Sequence, residues 1–248
     1  MRNKSFWGGL VAAVAGLLAV LLLMLVYCAC SPSMYRWAMG RAGVYETAGV
    51  DRATLNQVAL DVTGFLGMQR EHANPDFNRL IRGFLGMQRE RANIDFSRII
   101  IMDGEQRPEL NERERAHLAD VRRLVFVAAM IMVVLAMIAV ILAVRVPASR
   151  SKGAGLLAGT VLLMLAGLGV FIAVKVDFYN FFVAVHRRLF TNELWYMNPE
   201  TDLLIRMMPT EFFISMGMVI GGIVAAAMVA SVVVGCKLMM KHENRHAI

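Results

Sequence analysis

Cysteine, charge and the familiar catalytic motifs are all scarce in this sequence, and each shortage excludes a class of protein. Three cysteines cannot build a disulfide framework. Charged residues make up only 18%, which excludes disorder as the main state. The chain has no Gly-x-Ser-x-Gly elbow, no phosphate-binding loop and no CxxC pair. In their place is apolar surface: 58% of 248 residues are hydrophobic, above the roughly 45–50% of a soluble domain. Length alone allows one or two domains, but the apolar residues are concentrated in four blocks.

Those blocks are 7–30, 124–144, 153–174 and 212–236, each uncharged and 21 to 25 residues long. A helix needs about 20 apolar residues to cross a bilayer core. Backbone groups in lipid must pair internally, so each block is expected to be a helix. Arg2 and Lys4 precede the first block in the manner of a signal peptide. Its 24 residues exceed the 7–15 of a signal core, and Tyr27 is a poor cleavage-site residue beside Cys28 and Cys30. A permanent first helix is therefore expected. The fold class is an all-α integral membrane protein, four transmembrane helices with an extracellular, mostly helical cap.

Orientation follows from the short loops. The N-terminus (1–6), the loop 145–152 and the tail 237–248 hold eight basic residues against one acid, Glu243. That excess equals the formal net charge of +7, leaving 18 basic and 18 acidic residues elsewhere. Basic short loops stay cytoplasmic, so segments 31–123 and 175–211 are expected outside. The basic balance is thus an orientation signal, and no nucleic-acid partner is expected. Cys28 and Cys30 fall at the opposite membrane face from Cys236, too far apart to bridge. Gly155-x-x-x-Gly159 and Gly217-x-x-x-Gly221 permit close helix packing, expected within the bundle rather than at a dimer face. The protein is expected to be a monomer among membrane lipids.

The first outer segment contains a duplication. GFLGMQREHANPDFNRL (64–80) and GFLGMQRERANIDFSRI (83–99) match at thirteen of seventeen positions. Two copies do not make a solenoid; a tandem helix-and-turn unit is the expectation. His72 becomes Arg91 in the second copy, which favours a surface position. The segment ends in Asn111 to Val121, where Asn111 and Glu114 fit an N-terminal capping box. His117 and Asp120 share a face of the same helix, which should run into the second span near headgroup level.

The second outer segment is aromatic. Helical spacing puts Tyr179, Phe182, His186, Leu189 and Phe190 on one face, and Pro199 and Pro209 break the rest of the segment into turns. Aromatic belts often serve only as anchors. A histidine in the stripe, at the level of His117, suggests more, because imidazole titrates near neutrality and can take and return a proton. Two histidines flanking a carbonyl could act as base and acid in acyl transfer. His242-Glu-Asn-Arg-His246 matches the zinc-protease pattern H-E-x-x-H. It sits in the last seven residues of a polar tail, where a chance match beside anionic lipid is the better account. No metal site and no cofactor are expected.

Three stretches resemble the bacterial lipoprotein intramolecular transacylases. They are E-x-x-H-x-x-D-V (114–121), D-F-x-x-F-F-x-x-x-H-x-x-x-F-x-N-x-x-W (177–195) and P-x-T-D-L-L-I-x-x-x-P-x-x-F-F (199–213). The duplicated stretch departs from the family's pattern. The resemblance implies a multi-pass protein of the bacterial cell membrane and, as substrate, a diacylglyceryl lipoprotein whose N-terminal cysteine is free. The enzyme would move the sn-2 acyl chain to the cysteine α-amine and yield a lyso-form lipoprotein. It also implies that His117 and His186 are catalytic, either of them able to be the base. Supporting roles would fall to an aromatic clamp (Phe178, Tyr179, Phe182, Phe190, Trp195), to Asp120 as orienter of His117, to Asn192 and Trp195 as oxyanion donors, and to Asp202 as a loop brace. Two rival readings are a non-enzymatic four-span scaffold or sensor and a membrane zinc protease.

Overall fold

The computed structural model describes residues 2–67 and 96–243. His72, Arg91 and most of the duplication lie outside the described residues, as do His246 and the side chain of His242. In chain order the elements are α1 (Arg2–Cys30), α2 (Pro32–Arg41), α3 (Val44–Thr47), α4 (Arg52–Gly67), β1 (Ile99–Met102), β2 (Glu105–Pro108), α5 (Glu112–Arg145), α6 (Arg150–Val176), α7 (Phe178–Leu189), α8 (Leu203–Met207) and α9 (Thr210–Glu243). Four of them, α1, α5, α6 and α9, are long and apolar enough to cross a membrane, as the four uncharged blocks require. The protein is a multi-pass, predominantly α-helical membrane protein. The first twelve residues of α5, 112–123, carry seven charges. Helix α9 runs past the last apolar block, so the first half of the expected tail is helical.

The chain divides into two compact units. One comprises residues 1–25, 127–185 and 218–248, the other 26–126 and 186–217. In the first, α1 and α6 pack backbone to backbone. A Cβ at Gly155 would collide with the Phe6 carbonyl, and one at Gly159 would come within 2.7 Å of the Leu10 carbonyl oxygen. The expected small-residue contact is therefore met within the bundle. The other pair behaves differently: among the described residues, no atom lies within 4 Å of a Cβ at Gly217 or Gly221. Thr160 Oγ1 and Ser231 Oγ, 2.8 Å apart, join α6 to α9. At the α5–α6 loop, buried Lys152 donates from Nζ to the carbonyls of Ala143 and Val146, both at 2.8 Å. It thereby satisfies acceptors that the end of α5 would otherwise leave open.

The second unit has its own core. Helix α4 buries Leu55, Val58, Ala59, Val62 and Leu66, the spacing of one helical face. Met39, Val44, Leu110, Leu203 and Met207 are also fully buried or nearly so. Asp51 opens α4, its Oδ1 accepting from the amides of Ala53 (2.9 Å) and Thr54 (3.0 Å). Strands β1 and β2 form an antiparallel hairpin, Ile99 facing Pro108 and Met102 facing Glu105. Its two-residue turn, Asp103-Gly104, has φ of +53° and +86°, the type I′ geometry for which Asp-Gly is suited. This hairpin is the one departure, among the described residues, from the mostly helical expectation for segment 31–123.

Candidate active site

The capping box at the start of α5 is present. The amide of Glu114 donates to Asn111 Oδ1 (3.0 Å) and the amide of Asn111 donates to Glu114 Oε2 (2.8 Å). Glu114 also does something that its local motif did not announce. Fully buried, it accepts the Leu204 amide at 2.7 Å through Oε1, and Arg107 of β2 donates to Oε2 at 3.4 Å. One carboxylate thus joins the hairpin, the start of α5 and the first turn of α8. Burial raises its pKa, while the Leu204 and Asn111 amides and Arg107 pull it back down. Asp202 is buried and accepts three hydrogen bonds. Its Oδ1 accepts from Asn111 Nδ2 (2.7 Å) and the Thr201 hydroxyl (3.0 Å), and its Oδ2 accepts from the Asn198 amide (2.9 Å).

One turn after Glu114, and held by that clasp, is His117. Its ring centroid lies 6.3 Å from that of His186, in the last turn of α7, with the rings inclined at 32°. Phe190 packs against both imidazoles, at 5.0 Å from His117 and 5.6 Å from His186. Trp195, buried, closes on His186 at 5.1 Å. The turn after α7 is tied back to α5 where Asn192 Nδ2 donates to Asp120 Oδ2 at 2.9 Å, and Asn192 Oδ1 accepts the Leu194 amide at 3.1 Å. Arg113 makes a second tie, donating to the Tyr196 carbonyl at 2.9 Å. The sequence-derived set His117, His186, Asp120, Phe190, Asn192 and Trp195 therefore comes together in one unit. Phe178 and Phe182 pair with each other at 6.0 Å in the other unit, and Tyr179 is exposed.

Electrostatics distinguish His117. It is 8% exposed, and its Nδ1 is buried without a hydrogen-bond partner among the described residues. Burial, reinforced by His186 and opposed by Asp120, lowers its pKa to about 4. The ring is therefore neutral at physiological pH. A buried polar atom left unpaired costs about 1–3 kcal/mol, and such unsatisfied positions call for a specific account, a catalytic role among them. Asp120 is engaged by Asn192 and lies 3.8 Å from Arg123; its influence on His117 is through charge.

Among the described residues no group of three or more His, Cys, Asp or Glu side chains could hold a metal ion. A depression of about 540 Å³, lined by Asn111, Arg113, Asn198, Thr201 and Asp202 among others, contains neither histidine. The Arg107–Glu114–Leu204 connection is what sequence reasoning missed, since nothing local to 107 or 204 signals it.

A search of curated protein sequences found no match. Among solved structures the chain resembles the membrane integral lipoprotein intramolecular transacylase Lit from Bacillus cereus, with 16% identity, a TM-score of 0.73, and 98% of this chain and 99% of that one covered. Two structures of that protein, with a single histidine replaced by arginine or by alanine, match at a TM-score of 0.69 and 16% identity. They cover 99% and 97% of this chain and 96% of theirs. The family model for lipoprotein intramolecular transacylase, Lit, matches residues 10–213. With that match spanning most of its length, the chain belongs to the lipoprotein intramolecular transacylases, acyltransferases of the membrane.

Proposed function

We propose that His117 and His186 together catalyse movement of the sn-2 acyl chain of a diacylglyceryl-cysteine lipoprotein to the cysteine α-amine. The observation that carries this reading is the pairing of two imidazoles 6.3 Å apart with Phe190 against both. The α-amine, with a pKa of about 8, must be neutral to attack. As its nitrogen adds to the ester carbonyl, an imidazole removes the N–H proton. The carbon–oxygen bond to glycerol then breaks, the departing sn-2 oxygen is protonated, and an amide and a free hydroxyl result. One imidazole takes that proton, and the other, entering protonated, supplies one to the leaving oxygen. Proton exchange between them restores the starting state.

Amine and ester belong to one molecule, so no enzyme nucleophile is required. The nitrogen closes a ring of about eight atoms, and holding both ends in place can lower the barrier by several kcal/mol, with about 7–11 as the ceiling. Phe190 and Trp195 exclude water that would hydrolyse the ester. Asn192 has one amide N–H engaged by Asp120, and its second is the candidate donor to the oxyanion. Phe178, Tyr179 and Phe182 are the proposed apolar contacts for acyl chains. The charge of the short loops supports an extracellular position for 31–123 and 175–211. The span limits 7–30, 124–144, 153–174 and 212–236 and a monomeric state belong to the same proposal.

The test uses His117→Ala and His186→Ala expressed at wild-type level. Mass spectrometry of lipoprotein N-termini should find the diacylated form with a free amine in both. Lyso-form product from either variant would refute the pair.

A further inference from the structure

The stretch of α1 long and apolar enough to cross a membrane, Asn3–Cys30, has 28 residues. At 1.5 Å each it measures about 42 Å, against about 30 Å for the apolar core of a bilayer and about 40–45 Å with its headgroups. A crossing helix of that length ends in the headgroup layer. One residue later α2 begins. Ser31, with extended backbone at φ −104° and ψ 110°, breaks the first helix and caps the second, its Oγ accepting the Met34 amide at 3.4 Å. Pro32 follows at the start of α2, where its missing N–H costs nothing. A contact fixes the level of α2 independently. Tyr35, buried, packs edge-on against Phe212 at 5.2 Å, and Phe212 is the third residue of α9, where another crossing helix begins.

Helix α2 has two faces. Tyr35, Ala38 and Met39 are buried, while Ser33, Arg36, Trp37, Gly40 and Arg41 are exposed at the spacing of one helical side. Trp37 is 38% exposed, and Arg41 Cζ lies 6.0 Å from the centre of its ring. The helix contains no acidic residue, and among the described residues neither arginine has an ion pair. Two guanidinium groups beside an exposed indole, with no carboxylate to neutralise them, complement a phosphate layer. Indole is favoured at the membrane–water boundary, and the guanidinium fork matches phosphate oxygens. We propose that this face of α2 lies on the membrane surface and holds the phosphate of an anionic phospholipid such as phosphatidylglycerol. Arg36 and Arg41 take the phosphate, and Trp37 reaches the glycerol level beside it. A zwitterionic headgroup fits less well, because its own ammonium competes with the arginines. The buried face of α2 packs on α4, so the lipid contact braces the compact unit that also holds His117 and His186.

The experiment places the full-length protein in phosphatidylcholine nanodiscs. A rising fraction of the lipid is replaced by a form brominated near the top of its acyl chains, either phosphatidylglycerol or phosphatidylcholine. Bromine quenches indole emission on contact. Trp7→Phe removes the other exposed indole and Trp195 is buried, so the quenched emission reports Trp37; Trp37→Phe should abolish it. Each arginine near an anionic surface is worth about fivefold in affinity. Half-quenching should therefore need about thirtyfold less brominated phosphatidylglycerol than brominated phosphatidylcholine. Arg36→Gln and Arg41→Gln should each raise the phosphatidylglycerol fraction about fivefold, and the double variant should bring the two lipids together. Arg36→Lys, which keeps the charge, should keep most of the preference. Equal half-quenching by the two lipids in the wild type overturns the proposal. So does a preference that survives the double variant, or Trp37 emission that neither lipid quenches. If the double variant fails to fold, the single variants and the wild-type comparison decide the matter.

Discussion

Glu114 offers a test of how the reacting region is held. Glu114→Gln preserves shape and one carbonyl, but it puts an NH2 where one of the two amide donors now meets an acceptor. A hydrogen bond to a charged group is worth about 1.5–3 kcal/mol. The amide substitution also relieves the burial that raises the carboxyl's pKa, so the net loss should be about 1–2 kcal/mol. Glu114→Ala has no such relief. It strands the Leu204 and Asn111 amides and leaves Arg107 without its carboxylate, a loss of about 3–5 kcal/mol. Against a total stability of about 5–15 kcal/mol, that should open this unit locally. Hydrogen exchange in a nanodisc should show the Leu204 amide losing protection slightly in the Gln variant and severely in the Ala variant. The first turns of α5 should follow. Unchanged Leu204 protection in Glu114→Ala would refute the reasoning, and so would equal effects of the two variants.

Three other outcomes are expected. Glu109 is 1% exposed, and burial and then the charge of Asp61 raise its carboxyl from 4.5 to about 7, against the pull of Arg98 at 2.9 Å. The folded protein binds this proton more tightly than the unfolded chain, so the stabilisation is full below about pH 4.5 and is lost as pH rises through 7. Denaturant unfolding of the wild type between pH 5 and 8 should show stability falling, and Glu109→Gln should flatten the slope. In the other unit, Gly155→Val should drive a side chain into the α1 backbone at Phe6 and cost about 1–3 kcal/mol or more. Gly222→Ala, with no described atom within 4 Å, should be neutral or stabilise by up to about 1 kcal/mol; thermal unfolding checks both.

The four membrane-crossing helices were legible because about 20 uncharged apolar residues are what a span requires, although α5 begins at Glu112, twelve residues before its apolar block. The capping box and the His117–His186 pairing were legible for different reasons. The first is a local pattern of bonds within four residues. The second rested on two histidines expected at one level of the membrane. The hairpin was not legible, although Asp103-Gly104 is its turn signal, because the four apolar residues before it suit a strand or a helix segment equally and the four after it are mostly polar. The bond from Leu204 to Glu114 spans 90 positions. A buried carboxylate chooses its third donor by packing, and no spacing rule reports that. Gly217 and Gly221 repeat the pattern of Gly155 and Gly159 without its contact, because spacing says which face is smooth and not whether anything lies against it.

Lys152 is one of the three cations of the 145–152 loop. In the finished fold its ammonium is withdrawn from water and engaged by Ala143 and Val146. An amine-reactive reagent or an anionic headgroup should therefore find little of it, and the loop's exposed positive charge rests with Arg145 and Arg150. Lys152 is thus the stopper at the end of a helix.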